Sequence, residues 1–200
     1  YFGKPCGLMD QMASSVGGLI YIDFKDPTSP VVEKIDYDFE KSGYTLCIVD
    51  SGADHAALTD EYAAIPRELE KVCAVFGKRF LRDVDEAEFS AHLADVRRAA
   101  GDRAVLRAMH VYDENRRVQA QIQALKRGDF DGFLKLINES GLSSWLYLQN
   151  VIPAGSTAHQ DMAFTLALCR RLLGGKGAVR IHGGGFAGTV LAFVPDAQTG

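Results

Sequence analysis

The chain has 200 residues, of which 47% are apolar and 24% charged, and its formal net charge is −4. That balance suits a soluble globular chain holding one large domain or one and a half small ones, and it excludes a disordered polyelectrolyte. The acidic excess argues against a nucleic-acid surface, and no apolar run approaches the roughly 18 residues of a membrane helix, so neither a nucleic-acid nor a membrane partner is expected.

The first predicted element is a short helix over 7–16, carried by Leu8, Met9, Met12 and Ala13 and ended at Gly17-Gly18. LIYIDF (19–24) is β-branched and aromatic and predicts a strand, and the alternation of VVEKIDYDF (31–39) predicts a second. Ser42-Gly43 breaks the chain and is the expected boundary between a leading segment, 1–42, and a main domain, 43–200. YTLCIVDS (44–51) is a continuous apolar run, the pattern of a buried central strand. From residue 59 the period becomes helical. Thr59 is the expected cap of a helix carrying Tyr62, Ile65, Leu69, Val72 and Phe76, with Pro66 demanding a start or a kink. Further helices are predicted over 85–94 and 103–126. Gly128 stops the latter, and Asp129 caps a helix bearing Phe130, Phe133, Leu134 and Ile137. Ser156 is the expected cap of a helix over 157–173. Two strands follow, GAVRIH (177–182) and TVLAFVP (189–195), joined by GGGFAG. This order predicts an α+β fold: an antiparallel sheet covered by helices, with the last strands returning beside a much earlier one.

Cys6, Cys47, Cys73 and Cys169 form no CxxC pair and have no His at zinc-finger spacing. They read as reduced, mostly buried thiols of a cytoplasmic protein. The chain opens on Tyr-Phe-Gly and stops just after a strong strand, so it is expected to be a segment of something longer.

Four stretches invite a chemical reading. Three consecutive glycines in GGGFAG (183–188) exceed what a hairpin needs. Their freedom at positive φ lets backbone N–H groups face a phosphate, or lets the loop pack tightly under a helix. DSGADHAALTDEY (50–62) leaves the end of a strand, where ligand groups gather. Within it Asp54-His55 lacks metal-ligand spacing, and turn chemistry is the better account of Asp54. GLSSW (141–145) looks like a phosphate loop but follows a helix, so Gly141 is expected to be that helix's C-cap. In PCGLMDQ (5–11), Asp10 reads locally as a helix-start carboxylate.

Taken in order, PCGLMDQ, DSGADHAALTDEY, RAMHVYDENRRVQ (107–119) and GAVRIHGGGFAGTVLAFV (177–194) resemble the galactokinases, members of the GHMP superfamily of small-molecule kinases. The resemblance spans nearly the whole chain and implies the end of an N-terminal catalytic domain followed by a C-terminal domain with a ferredoxin-like core. It implies transfer of the ATP γ-phosphoryl group to the anomeric hydroxyl of galactose or a related sugar. Asp10 matches the catalytic carboxylate, Gly7 and Tyr62 the sugar-contacting positions, and Gly183, Gly184, Gly185 and Phe186 the loop on the nucleotide side. ATP and Mg2+ are implied, with the metal ligands and the phosphate loop expected upstream of Tyr1, so that this segment alone is expected to be inactive. A monomer is favoured. Ala187 departs from the family's usual Gly, and Gly141 from its usual His. A kinase-like sensor of sugar and ATP that acts by binding a regulator is the alternative.

Overall fold

The structure is a computed structural model and describes residues 8–53 and 58–199. Helix α1 (Met9–Val16) leads into a two-stranded antiparallel ribbon of β1 (Leu19–Asp23) and β2 (Val31–Ile35). Strand β3 (Tyr44–Asp50) opens the main sheet. Five helices follow: α2 (Thr59–Val75), α3 (Glu86–Ala91), α4 (Leu93–Ala100), α5 (Asp102–Lys126) and α6 (Phe130–Ser143). A π-helical turn at Ser144–Leu148, then α7 (Asp161–Leu173), lead to β4 (Ala178–His182) and β5 (Thr189–Pro195). The main sheet has the order β3-β5-β4 and is antiparallel throughout, with Tyr44 opposite Pro195 and Ala178 opposite Phe193. The fold is α+β, and the last strands return beside β3 as the sequence predicts. One strand, a helical layer and a hairpin make a β-α-β-β run of the ferredoxin-like kind.

Burial of apolar faces holds these layers together. Phe130, Phe133, Leu134 and Ile137 of α6 pack with Phe193 of β5 and Ile122 and Leu125 of α5, and Ile35 at the end of β2 joins the same cluster. The ribbon is thereby attached to the helical layer. Each such side chain taken out of water contributes roughly 1.5–3 kcal/mol. A second cluster joins Val72 and Cys73 of α2 to Val96 of α4 and to Ala104, Val105 and Ala108 of α5. A third joins Met162, Ala163 and Leu166 of α7 to Val179, Val190 and Ala192 of the sheet.

Several sequence expectations need correction. β3 is an edge strand with Leu46 and Ile48 half exposed, and β5 holds the centre. An apolar run reports hydrophobicity and leaves position within the sheet open. β2 ends at Ile35 rather than 39, because the Asp38 carboxylate accepts the Glu40 N–H and starts a 3₁₀ turn. The predicted 85–94 helix is two helices separated at His92, the second running on to Ala100. Thr59 lies inside the first turn of α2, whose cap position is Leu58, and the helix runs through Pro66 to Val75. α7 begins at Asp161, and the carbonyl of Ser156 instead accepts the Gln160 amide at 2.9 Å. Asp129 does cap α6, accepting the Gly132 N–H at 2.9 Å.

Gly141 is not a C-cap. α6 passes through it, and a Cβ there would stand 2.8 Å from the Val179 carbonyl oxygen. The glycine lets α6 lie directly on β4. Asn138, three residues earlier on α6, reinforces that contact by donating to Gly177 O at 3.0 Å and accepting the Val179 N–H at 3.2 Å.

Of the cysteines, Cys73 is buried and Cys47 and Cys169 are half-buried free thiols. Cys6 lies outside the described residues. Burial pushes the Cys73 and Cys169 thiols up from their ordinary value, which keeps them protonated and unreactive.

Candidate active site

The β4–β5 hairpin closes its ladder at the pair His182 and Thr189, leaving GGGFAG as the connection. Gly183, Gly185 and Gly188 all take positive φ, and so does Phe186 at 60°. A bulky residue in that region costs about 1–3 kcal/mol and persists only where its surroundings enforce it. Here the enforcement is visible. The Phe186 ring is buried and meets Tyr62 edge-on with centroids 5.5 Å apart. The Phe186 N–H donates to Asn150 O at 2.6 Å. With its ring facing the interior and its N–H taken by Asn150 O, Phe186 anchors the loop rather than donating to a ligand. Ala187 is not at positive φ, which is why an alanine is accommodated where a glycine is usual.

The loop is held from two directions. From α2, the Tyr62 hydroxyl donates to Gly185 O at 2.7 Å, while its ring lies where a Cβ on Gly184 would meet it at 2.8 Å. Burial raises the Tyr62 phenol above its ordinary value, so it stays a neutral donor. From the far side, the Asn150 side-chain amide donates to Gly184 O at 3.0 Å. A Cβ on Gly185 would fall 2.1 Å from Asn150 O, so only glycine fits there. At the strand end, Ser51 gives both its N–H and its hydroxyl to Gly188 O, at 2.9 and 2.6 Å.

Behind the loop lies a buried charged group. Arg107 of α5 is completely buried. It donates to Glu68 of α2 at 2.8 Å and to Leu148 O at 3.0 Å. Glu68 also takes Arg103 at 2.6 Å. Burial presses the Arg107 guanidinium below its usual value, with Glu68 opposing.

Tyr62 and loop residues 184–186 are thus brought into direct contact, although they lie more than 120 residues apart in sequence. Asp10 lies elsewhere. It is the second residue of α1, exposed, and among the described residues it makes no hydrogen bond or ion pair. The cap position is Leu8, so Asp10 does not cap the helix through its side chain. It borders a groove of about 450 Å³ whose walls are Leu19, Ile22, Val118, Ile122 and Phe133. Gly7, Asp54 and His55 lie outside the described residues. Asn150 and Glu68 escaped the sequence reading. Asn150 falls in SSWLYLQNVIPAG, which departs from the family pattern, and Glu68 reads as an ordinary charged helix position.

The loop's donor set is compatible with phosphate. The Phe186 and Ala187 amides are spent on Asn150 O and Gly185 O, which leaves the Gly183–Gly185 run to present N–H groups. Among the described residues no three His, Cys, Asp or Glu side chains cluster to hold a metal ion. Among the described residues no helix is long and apolar enough to cross a membrane.

No family model matches the chain. The galactokinase of Glaesserella parasuis serovar 5 is 31% identical over 205 residues, covering 99% of this chain and 49% of that protein. The galactokinase of Thermotoga neapolitana is 32% identical over 191 residues, covering 96% of this chain and 49% of that protein. Among solved structures, Lactococcus lactis galactokinase complexed with galactose superposes with a TM-score of 0.72 at 23% identity, over 99% of this chain and 49% of that one. L. major mevalonate kinase in complex with R-mevalonate gives 0.56 at 16% identity, over 99% of this chain and 47% of that one. The chain thus shares the fold of about half of each of these two kinase structures. In sequence the chain is similar to galactokinases along almost its whole length, and it spans about half the length of the curated relatives it matches.

Proposed function

We propose that this chain is the C-terminal portion of a galactokinase-type enzyme that phosphorylates the anomeric hydroxyl of galactose or a related sugar. The observation that carries the reading is homology to galactokinases along 99% of the chain. It includes the glycine loop, whose backbone is held open by Tyr62 and Asn150. In this reading residues 1–42 end the N-terminal catalytic domain and 43–200 form the C-terminal domain, and the enzyme is cytoplasmic and monomeric.

Phosphoryl transfer requires alignment of donor and acceptor, neutralisation of charge and an outlet for the hydroxyl proton. ATP, when bound, supplies the γ-phosphoryl group, and the bond to its β-phosphate breaks as ADP leaves. Asp10 receives the proton of the anomeric hydroxyl, or orients that hydroxyl and stabilises its developing charge. Its exposure supports this role: a carboxylate that makes no hydrogen bond among the described residues remains available to a substrate. Gly7 lets the sugar approach the backbone, and Tyr62 contacts a sugar hydroxyl while bracing the loop through Gly185. Gly183, Gly184 and Gly185 present N–H groups on the nucleotide side, and Phe186 anchors the loop through its buried ring and its N–H to Asn150 O. No step is assigned to a metal held by the described residues.

The test is galactose-dependent ADP release. The full-length polypeptide is expected to be active with galactose or a close epimer or derivative, and residues 1–200 alone inactive. Turnover by residues 1–200 alone would overturn the division of the site between two halves.

A further inference from the structure

We propose that Asn150 is a positioning residue for the nucleotide side of the site, and that it acts by fixing the backbone of Gly184–Phe186. The proposal rests on the reading of the glycine loop as nucleotide-facing.

Asn150 brackets Gly185. Its side-chain amide holds the carbonyl before that residue, at 3.0 Å to Gly184 O, and its own carbonyl holds the amide after it, at 2.6 Å to Phe186 N. Two hydrogen bonds from one residue on either side of a glycine leave that peptide little freedom. Backbone strain lies at the same place. Among the described residues, the non-glycine residues at positive φ are Gln149, at 54°, and Phe186, at 60°. One precedes Asn150, and the other donates to it. Strained backbone of this kind survives where the surroundings over-determine it, and it concentrates at functional sites.

Asn150 is itself held. The carbonyl of Leu148, two residues earlier, accepts from Arg107 at 3.0 Å, and Arg107 is locked to Glu68. Glu68 shares α2 with Tyr62, whose hydroxyl holds Gly185. The circuit runs from α2 to the glycine loop, to Asn150, to the Leu148 turn, to Arg107 and back to α2. A loop fixed this way offers its N–H groups in one arrangement without ordering at the moment of binding. Asn150 Oδ1 is buried without a partner among the described residues. Packing alone would be served as well by an apolar side chain, so an amide with one orphaned atom points to the value of its donor.

The experiment uses the full-length protein. In the wild type, ADP is expected to slow hydrogen exchange of the 183–186 segment and of the segment containing Asn150 together. Protection of neither segment overturns the proposal without any variant. Asn150→Asp keeps the shape and removes the donor to Gly184 O, and Asn150→Ala removes the side chain. Both are expected to raise KM for ATP about tenfold, the size of one lost positioning hydrogen bond, and to leave KM for the sugar within about twofold. An unchanged KM for ATP in either folded variant overturns the proposal, as does an equal rise in both KM values. If the wild type phosphorylates no sugar, the kinase reading falls. The positioning role is then judged by ADP affinity measured calorimetrically, which must weaken about tenfold in Asn150→Asp.

Discussion

The Tyr62 hydroxyl donates to the Gly185 carbonyl at 2.7 Å across a separation of 123 residues. This single contact ties a helix that follows the first strand of the sheet to the loop between its last two. It makes the geometry of the glycine loop a property of the packed domain rather than of the hairpin. The consequences can be tested residue by residue.

Asp10→Asn in the full-length protein is expected to lower kcat by about 10²–10⁴-fold, the usual contribution of a positioned proton acceptor. ATP affinity should be largely spared, because Asp10 makes no contact with the glycine loop among the described residues. Steady-state kinetics with a direct nucleotide-binding measurement separates the two effects. Near-normal turnover would remove Asp10 from the reaction.

Glycines of the same loop are expected to differ. Gly183 sits at φ 79° with open space where a Cβ would go, so Gly183→Ala carries only the backbone cost of about 1–2 kcal/mol. In Gly185→Ala the new methyl would lie 2.1 Å from Asn150 O, adding about 1–3 kcal/mol of overpacking. Chemical denaturation of the two variants checks the order, and equal losses would show that the Asn150 contact does not constrain the loop.

Glu68→Ala leaves Arg107 fully buried without its carboxylate partner, and a loss of about 3–5 kcal/mol is expected. Arg103 binds the same carboxylate, but its side chain is 40% exposed, so Arg103→Ala should cost no more than about 1 kcal/mol. Thermal unfolding of both variants decides whether the buried arm or the exposed arm carries the network.

His110 is buried on α5 with Nδ1 2.8 Å from the Ser143 hydroxyl. Burial holds its pKa below the ordinary 6.5, with Glu114 opposing and Arg117 and Arg180 assisting. Because the folded pKa is the lower one, the unfolded chain binds more protons in the window below 6.5. His110 therefore contributes stability that is full above about pH 6.5 and is lost as pH falls through the folded value. Denaturant midpoints measured from pH 7.5 to 5 should fall for the wild type. The fall should be reduced in His110→Asn; an identical slope would assign the titration to another group.

Much of the element plan was legible in the sequence, because period and turn chemistry are local. The strands at 19–23, 44–50, 178–182 and 189–195 and the long α5 follow from alternation, apolar runs and helical spacing, and the Asp129 cap from residue type. The misreadings share one physical cause. Gly141 has the composition of a helix end, but its role is set by the Val179 carbonyl opposite it. YTLCIVDS has the composition of a central strand, but its place is set by which strands find each other. Ser156 offers a cap, yet the chain turns into α7 only five residues later.

The order of chemical residues along the chain, and through it the likeness to galactokinases, was determined by the sequence itself: Asp10 in PCGLMDQ, Tyr62 in DEY, the glycines of GGGFAG. Only the tertiary structure decided what surrounds them. It brought Tyr62 under Gly184 and Gly185, turned the Phe186 ring inward and drew Asn150 from a divergent stretch onto the loop. It also buried Arg107 behind them. Backbone propensity and hydrophobic period act over a few residues and can be read from neighbours in sequence. A hydrogen bond between Asn150 and Gly184, or a steric limit at Gly185, exists only after the helical layer and the sheet have packed.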